Sequence, residues 1–576
     1  MAECGEATQT DPGALGANET TRRDAIIRAH TWKLELGLAV AVLVPLGLLI
    51  PLGPSLAKTF WFDEQWRAYY IAYHGNWWQA LTRDNAPFAA GWYFLERVVA
   101  LTLGASQLGL RLTTAGWWPV LSGLLFLLAA RFVRPQLALV VALLGSVTPG
   151  LVPYVVQLKP FVVDSACAVA ALYFFLLAQS PTVRERPHGT TLRLLAYLGV
   201  AAASCFSLAA VLVAGPLLLV DATLALARRE VGSRLLGAIG AGVIALVELG
   251  VFVLRQDALT RSPYWTAQFM PHAGPGSQLS FIGSGVAGFL ANTFSPSATV
   301  VFGAAALPPH VSVLAGIWSL ALLIGAVVAA RSREGRWLLV AILGSFLVAL
   351  GASYFHYWPF GFVRPNLFEL PLLVLLSGLG AASGGRQALL ALRRSLTHGA
   401  ASYRAQLAGL AAVLLLVAMA GAAAQAARHE AEAYAALADT QLSLGYGAAI
   451  PEAVALVRRS AEPGAAIVVV GSMAIPGWAF YLFEFNGRVG KVGRAIPPSH
   501  VLFVTNHSYR RIVAFLAAER PSELYLYVPI GTTGQELGRD LSQAASAGYC
   551  GTREGYSIPA SGLLTRVTPS SRCRSA

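Results

Sequence analysis

Hydrophobic positions occur along this chain in long runs, each about as long as a membrane is thick. Residues 311–330 and 407–427, for example, contain no charged side chain. A helix needs about 20 predominantly apolar residues to cross the hydrocarbon core of a bilayer. The runs predict about 11 transmembrane helices, near 36–52, 116–132, 136–153, 161–178, 194–205, 206–228, 235–253, 311–330, 337–352, 367–383 and 405–425. The predicted fold class is a polytopic α-helical membrane protein.

Composition supports this class and excludes several others. Hydrophobic residues make up 56% of the chain and charged residues 12%, against roughly 25% charged residues in soluble domains. An ordinary soluble enzyme is therefore excluded. The net charge of +13 does not indicate nucleic acid, because the basic residues are spread over short loops rather than gathered in one patch. The five cysteines form no zinc or redox motif, and Cys550 and Cys573 are a candidate disulfide pair.

The distribution of basic residues predicts the topology. Arg22, Arg23, Arg28 and Lys33 precede the first span, so residues 1–33 are predicted to form a cytoplasmic tail. Residues 34–426 then form the transmembrane domain, and loops 54–115 and 254–310 lie outside. The short loops that carry arginine clusters fall on the cytoplasmic side in this arrangement, as the positive-inside rule requires. We expect a multi-pass protein of the bacterial cytoplasmic (inner) membrane, with the bilayer as its permanent environment.

Residues 427–576 read as a separate domain outside the membrane. Residues 466–470, 501–505 and 524–528 are β-type runs, and a helical pattern covers 509–518. Alternating strands and helices are typical of an α/β layer. Gly471 and Ser472 lack the glycine pattern of a nucleotide site. The sequence therefore predicts a C-terminal extracytoplasmic α/β domain.

An acidic pair directly follows the first span. Asp63 and Glu64 stand in the sequence Phe-Asp-Glu-Gln-Trp-Arg, where a carboxylate would lie at the outer membrane surface. One hypothesis is a general base. The alternative is a local ion pair of Asp63 or Glu64 with Arg67, one helical turn further on.

Two basic residues are each followed by proline where an inward-running helix is predicted to begin. These are Lys159-Pro160 and Arg364-Pro365. Proline suits the first helical position, and a helix N-terminus with a nearby cation forms an anion site suited to phosphate. Asp164 and Glu369 follow five positions after the bases. The alternatives are that these carboxylates cap the helix dipole or pair with the bases, and that each base is an interfacial snorkelling residue.

Other polar and aromatic residues are candidates at or near the outer surface. His356, in the loop that ends at Arg364, is a candidate phosphate donor or metal ligand, and the alternative is a simply hydrogen-bonded histidine. Tyr264 and Trp265 are placed to stack on a sugar or an isoprenoid, or to anchor the interface. Asp221 and Glu248, placed away from the outer face, are interpreted as interhelical hydrogen-bond partners.

An ordered set of short motifs resembles one family. The acidic pair at 63–64 is followed by Asn-Ala-Pro-Phe at 85–88, Leu-Gly-Ala-Ser-Gln-Leu-Gly-Leu-Arg-Leu at 103–112, Gln-Leu-Lys-Pro-Phe at 157–161 and Tyr-Trp-Pro-Phe-Gly-Phe-Val-Arg-Pro-Asn-Leu-Phe at 357–368. This order resembles the GT-C glycosyltransferases, in the branch of protein mannosyltransferases and the lipid A aminoarabinose transferase. Similarity of order and spacing covers roughly residues 34–385, and the individual motifs are short.

The resemblance implies a cell-envelope enzyme. Such an enzyme transfers a sugar from a polyprenyl-phosphate donor to an acceptor hydroxyl on a glycan, lipid or protein, at the outer face of the membrane. Asp63 matches the family's first-loop catalytic acid, with Glu64 as neighbour or substitute. Lys159 and Arg364 match positions that bind the carrier's phosphate.

Two departures from the family bear on cofactors. Gln157 stands where the family commonly has Glu, and Phe161 where it commonly has Tyr. A second acidic site is therefore in doubt, no cofactor is assigned, and the use of a divalent metal ion stays open. The alternative function is a membrane transporter or flippase of a lipid-linked or anionic substrate. That alternative predicts repeated halves and charges near the midplane, whereas Asp63, Lys159 and Arg364 are predicted at one surface.

Overall fold

The structure, a computed structural model, describes residues 12–57, 60, 62–72, 89–148, 150–230, 232–254, 268–292, 309–361, 364–395, 450–471, 474–482, 498–504, 509–529, 534–551, 553–558 and 562–570. Its N-terminal part is helical. The helices are α1 (Pro12–Leu56), α2 (Phe62–Ala72), α3 (Ala90–Leu103), α4 (Gln107–Ala115), α5 (Trp117–Ala129), α6 (Pro135–Ser146), α7 (Phe161–Ala178), α8 (Gly189–Phe206), α9 (Leu208–Ala227), α10 (Ser233–Leu254), α11 (Pro275–Asn292), α12 (Pro309–Ala330), α13 (Arg333–Tyr354) and α14 (Glu369–Ser395). Single helical turns lie at Val152–Tyr154, Pro181–Arg184 and Arg364–Asn366.

The helices confirm a multi-pass membrane protein. Within the described ranges, seven helices are long and apolar enough to cross a membrane, and shorter apolar helical segments lie at Pro135–Ser146, Trp318–Ala330 and Glu369–Ser383. Each predicted span from 36–52 to 367–383 coincides with one of these helices. The predicted span at 405–425 lies outside the described residues, as do 396–449 as a whole.

Several helix boundaries differ from the prediction. Helix α1 begins at Pro12, well before the apolar run, so part of the predicted polar tail is helical. The apolar span predicted at 116–132 begins earlier, because α4 and α5 follow one another with a break only at Gly116. The break between α8 and α9 lies at Ser207, whose backbone is extended and whose hydroxyl accepts the Ala210 N–H. This break confirms two separate helices where the sequence predicted the adjacent spans 194–205 and 206–228.

Polar contacts fasten neighbouring helices to one another. Asp221 of α9 accepts hydrogen bonds from Arg234 of α10 at 2.6 and 2.9 Å and from the Tyr197 hydroxyl of α8. Glu248 of α10 accepts the Ala90 N–H at the start of α3, at 2.8 Å. Both residues are interhelical hydrogen-bond partners. However, Glu248 lies beside the turn between α8 and α9, at the same end of the bundle as Asp164, and this differs from the predicted depth.

Helices α12 and α14 approach each other closely at two glycines. A Cβ atom at Gly325 would lie 1.9 Å from the Leu376 carbonyl oxygen, and one at Gly380 would lie 2.0 Å from the Ala321 carbonyl oxygen. Neither position has room for a side chain. Small residues at such crossings allow close van der Waals packing of helix backbones within a bilayer.

The C-terminal part forms the predicted α/β layer. Strands β1 (Ala466–Val470), β2 (Val501–Val504), β3 (Leu524–Pro529), β4 (Arg553–Ile558) and β5 (Gly562–Val567) form one sheet in the order β2-β1-β3-β5-β4. The pairs β1–β2 and β1–β3 are parallel, and β3–β5 and β4–β5 are antiparallel.

Helices cover both faces of this sheet. Helices α15 (Ile450–Ser460) and α16 (Ile475–Leu482) pack on one face, and α17 (Tyr509–Glu519) and α18 (Gly534–Ser546) pack on the other. The hairpin of β4 and β5 was not predicted from the sequence. Cys550 is disulfide-bonded, and its predicted partner Cys573 lies outside the described residues.

Candidate functional site

Helix α2 carries the acidic pair and begins shortly after α1 ends at Leu56. Asp63 lies in the first turn of α2, where the helix dipole favours a negative charge. Its side chain lies outside the description. Its neighbour Glu64 is completely buried, and burial of a carboxylate requires compensating partners.

Arg111 and the backbone of Leu158 together donate three hydrogen bonds to Glu64. Arg111 of α4 donates from Nε to Oε1 at 2.8 Å and from Nη2 to Oε2 at 2.6 Å. The backbone N–H of Leu158 donates to Oε1 at 2.6 Å. The bidentate ion pair is the strongest geometry available to a carboxylate. The Leu158 bond fixes α2 beside the segment that carries Lys159.

Arg111 is the main residue that the sequence analysis did not assign a role. Besides its pair with Glu64, it donates from Nη1 to the carbonyl oxygens of Ser55 and Leu56 at 3.3 and 3.1 Å. These carbonyls end α1 and have no helical N–H partner. Arg111 therefore joins the end of α1 to the start of α2. A charge inside the apolar stretch 107–129 was the available signal, since such charges are costly.

Lys159 lies directly before the N-terminus of α7. Its side chain is 1% exposed, and its Nζ lies 5.8 Å from the centroid of the Phe161 ring. Pro160 is the N-cap residue of α7 and Phe161 its first residue, so the helix begins one position later than predicted. The predicted combination of a cation and a helix N-terminus is present here. A buried ammonium group at such a point is suited to an anionic ligand.

Asp164 and Arg67 belong to the same cluster. Asp164, in the first turn of α7, accepts a hydrogen bond from the Ser207 hydroxyl at 2.6 Å. Arg67 of α2 is buried and lies near enough to Asp164 for an electrostatic interaction. The structure thus brings four predicted residues together, namely Glu64, Arg67, Lys159 and Asp164. The ion pair of Glu64 is made with Arg111, from a distant helix.

Gln157 lies in the same segment and is 2% exposed. Its Nε2 donates to the Pro153 carbonyl oxygen at 3.1 Å, while its Oε1 is buried and has no hydrogen-bond partner among the described residues. A buried acceptor without a donor costs free energy, about 1–3 kcal/mol. A hydroxyl or N–H group of a ligand would satisfy this oxygen.

Arg364 differs from the prediction in its helix position, whereas Glu369 lies in the first turn of its helix as predicted. Arg364 lies in the single turn Arg364–Asn366, and α14 begins only at Glu369. Arg364 is therefore separated from the N-terminus of α14. Asn366 stabilises this separate turn, because its side chain accepts a hydrogen bond from Trp358 Nε1 and donates to the carbonyl oxygens of Pro359 and Gly361. Glu369 is buried and accepts the Ser345 hydroxyl of α13. Helix α14 packs against α7.

His356 lies in a cluster of rings. It stacks on Phe269 with centroids 5.1 Å apart, and the His272 ring lies at 5.0 Å. Its φ angle of 60° is uncommon for a residue with a side chain, and such backbone strain clusters at functional sites. Tyr264 and Trp265 lie outside the described residues.

The side chains that could bind a metal ion are dispersed over the described residues. Within the described residues, no group of three or more His, Cys, Asp and Glu side chains could hold a metal ion. Gln157 supplies only an uncharged amide to this segment. The sequence left the use of a divalent metal ion open, and the described residues do not assign it a site.

Comparison with known proteins supports the fold. The structure is similar to that of ArnT from Cupriavidus metallidurans in the apo state, with a TM-score of 0.51 and 17% identity, over 95% of this chain and 99% of that chain. It is similar to the same protein bound to undecaprenyl phosphate, with a TM-score of 0.50 and 16% identity, over 93% and 98%. ArnT has the GT-C fold, so the predicted fold is confirmed. Scans against protein-family models and curated proteins find no match.

Proposed function

We propose that this protein is a GT-C glycosyltransferase that moves a sugar from a polyprenyl-phosphate donor to an acceptor hydroxyl of a glycan, lipid or protein. One observation carries the proposal. The hydrogen bond from the Leu158 N–H to Glu64 holds the helix that bears the acidic pair against buried Lys159 at the N-terminus of α7. A base and a phosphate site are thereby neighbours. The structure of ArnT bound to undecaprenyl phosphate shows that a polyprenyl phosphate binds to this fold.

Asp63 is proposed as the general base. The acceptor oxygen attacks the anomeric carbon of the sugar, its proton passes to the Asp63 carboxylate, and the bond from that carbon to the phosphate oxygen breaks. Polyprenyl phosphate leaves with one more negative charge. A positioned base contributes about 10² to 10⁴-fold to such a reaction. Glu64, with both oxygens bonded to Arg111, is proposed to position α2.

Lys159 and Arg67 are proposed to bind the departing phosphate. Both are buried cations in one cluster with a helix N-terminus, and fixed positive groups stabilise charge that develops as a bond breaks. Arg364 and His356 are proposed to bind the carrier phosphate or the sugar from the side of α14. Tyr264 and Trp265 are proposed to contact the sugar or the isoprenoid chain.

The end of the bundle that carries Asp63 and Glu64 is proposed to face the outside of a bacterial cytoplasmic membrane. The N-terminus and the Arg131–Glu334 ion pair are proposed to lie at the inner end. A membrane-impermeant thiol reagent tests this. In intact cells, the reagent should label the introduced cysteine in Glu452→Cys, and it should label the cysteine in Arg333→Cys only after the membrane is permeabilised. The reverse pattern would contradict the topology.

Sugar transfer by membranes tests the proposed function. Wild type, Asp63→Asn and the control Glu452→Gln, which alters an exposed carboxylate on α15, receive a panel of radiolabelled polyprenyl-phosphate sugars at matched protein levels. We expect transfer by wild type and control, and a decrease of at least about 100-fold in Asp63→Asn. Equal transfer by all three would exclude Asp63 as the base. Absence of transfer from any donor would favour the transporter alternative. The likeness to ArnT, which extends over nearly the full length of both chains, supports the transferase instead.

Chelation tests whether a divalent metal ion takes part. Purified protein is treated with EDTA and then given magnesium, manganese or zinc separately. Loss of transfer that one ion restores would establish a metal requirement. Unchanged transfer after chelation would indicate that Asp63 and the buried cations act alone.

A further inference from the structure

The C-terminal α/β domain contacts the helix that carries the acidic pair. The contact is made by α16, which packs against α2. Phe480 of α16 is buried in the core of the transmembrane part, and its ring meets the Phe60 ring edge-on with centroids 5.5 Å apart. The two parts of the chain therefore share a packed contact at the end of the bundle that carries Glu64 and Lys159.

Phe60, in the short link between α1 and α2, contacts residues of three helices. Its backbone N–H donates to the Tyr481 hydroxyl at 3.3 Å, and its carbonyl oxygen accepts from Gln65 Nε2 at 2.7 Å. The Arg111 guanidinium lies 4.8 Å from the centroid of its ring. Both backbone hydrogen-bonding groups of Phe60 are thus used. One partner comes from the C-terminal domain, and the other lies next to Glu64 on α2.

Gly477 of α16 lies close to α2. A Cβ atom at Gly477 would lie 2.1 Å from Gln65 Oε1 and 2.9 Å from Ile450 Cδ1. The Gln65 side chain cannot withdraw freely, because its Nε2 is bonded to the Phe60 carbonyl oxygen. A methyl group at Gly477 must therefore displace Gln65 and loosen the link before α2.

We infer that α16 is a positioning element for the acidic pair. Gly477 and Tyr481 act through Gln65 and Phe60 to set where α2, and with it Asp63, stands relative to Lys159. The inference rests on the proposed function. It gives the C-terminal domain a part in the chemical step, besides any contact with an acceptor.

Gly477→Ala tests the inference, with Gly538→Ala as the matched control. Both glycines lie in helices of the C-terminal domain, and a Cβ at Gly538 meets nothing within 4 Å. Alanine favours a helix more than glycine does at both positions. We expect kcat for sugar transfer to fall at least about 10-fold in Gly477→Ala, with donor KM within about twofold, because small displacements of a catalytic group cost rate. Gly538→Ala should match wild type.

A double-mutant cycle separates positioning from general damage. Gln65→Ala removes the atom that the new methyl group meets. The double variant Gln65→Ala/Gly477→Ala should then be little slower than Gln65→Ala alone, because only the flexible end of the Ile450 side chain still meets the new methyl group. Effects that multiply would overturn the inference, as would wild-type kcat in Gly477→Ala. Tyr481→Phe should also lower kcat, whereas its control Tyr556→Phe, on strand β4, should not.

Hydrogen exchange provides a readout that does not need activity. In Gly477→Ala, amides of residues 62–72 should exchange faster than in wild type, while those of 161–178 should not change. Unchanged exchange in 62–72 would overturn the inference even if transfer were observed. Absence of transfer by wild type, together with faster exchange in the variant, would refute the proposed function while leaving the structural link between α16 and α2.

Discussion

Breaking the buried ion pair of Glu64 and Arg111 should destabilise the protein strongly. Glu64 is completely buried and Arg111 is 3% exposed, so water cannot screen the charge that remains when one partner is removed. In Arg111→Met, Glu64 loses both hydrogen bonds of the ion pair, and the carbonyl oxygens of Ser55 and Leu56 lose the hydrogen bonds that Arg111 donates. Removal of one partner of a buried pair costs about 3–5 kcal/mol, and we expect this loss in the free energy of unfolding.

Removal of both charges should be better tolerated than removal of one. In Glu64→Gln/Arg111→Met no buried charge is left uncompensated, so the double variant should be more stable than the sum of the single effects predicts, by about 1–3 kcal/mol. Equilibrium unfolding in mixed detergent micelles measures these free energies. Arg131→Met is the control, because the Arg131–Glu334 pair is partly exposed and exposed pairs contribute about 0–1 kcal/mol.

Two results would refute this reasoning. One is an Arg111→Met loss no larger than that of Arg131→Met, and the other is a double variant destabilised by the full sum of the single effects. Sugar transfer gives a second criterion for the role of Glu64. If Glu64 positions α2, the double variant should transfer faster than Arg111→Met alone, whereas a catalytic Glu64 would make the double variant the slower one.

Three further predictions concern single residues. Lys159→Gln should lower kcat/KM for the donor about 10² to 10³-fold, since a fixed cation at the departing phosphate is lost, whereas Lys33→Gln, at an exposed position, should transfer like wild type. Burial raises the pKa of Glu96 on α3 well above its ordinary value, so the folded state binds the proton more tightly and the stability of the protein falls as pH rises above about 4.3. Glu96→Gln should therefore be more stable than wild type at pH 8 and equally stable near pH 4. An equal stability difference between variant and wild type at both pH values would contradict this prediction. Asp221→Asn should lower the unfolding midpoint with donor KM unchanged, because Arg234 loses its buried partner, and a raised KM would place Asp221 at the site.

The spans could be predicted from the sequence because length and hydrophobicity alone decide whether a helix can cross a bilayer. The division into spans 194–205 and 206–228 could be predicted from hydrophobicity together with the positive-inside rule, which places the arginine-rich loops on one side of the membrane. Strands β4 and β5 could not be found in this way. Arg553–Ile558 and Gly562–Val567 carry polar and charged residues. Strand β5 pairs with β3 and β4 pairs with β5, so these strands depend on tertiary pairing rather than on a hydrophobic run of their own.

The candidate site was predicted in part. Helix N-termini and membrane-surface charges marked Glu64, Lys159 and Asp164, and local sequence suffices for such features. Arg111 was missed because its partner is 47 positions away, and a pair of that kind depends on how helices pack. The turn at Arg364 was placed in a helix because Pro365 suits a helix start, but the side chain of Asn366 holds that segment in a separate turn.

The glycine crossing of α12 and α14 links this protein to the lipid around it. Inside a bilayer no water is expelled when two helices meet, so their association relies on close van der Waals contact. Gly325 and Gly380 provide that contact only when the two backbones touch, and a lipid tail inserted between them would remove it. Changes in acyl-chain packing should therefore act on the crossing of α12 and α14 and, since α14 follows Arg364, make the proposed phosphate binding sensitive to membrane composition.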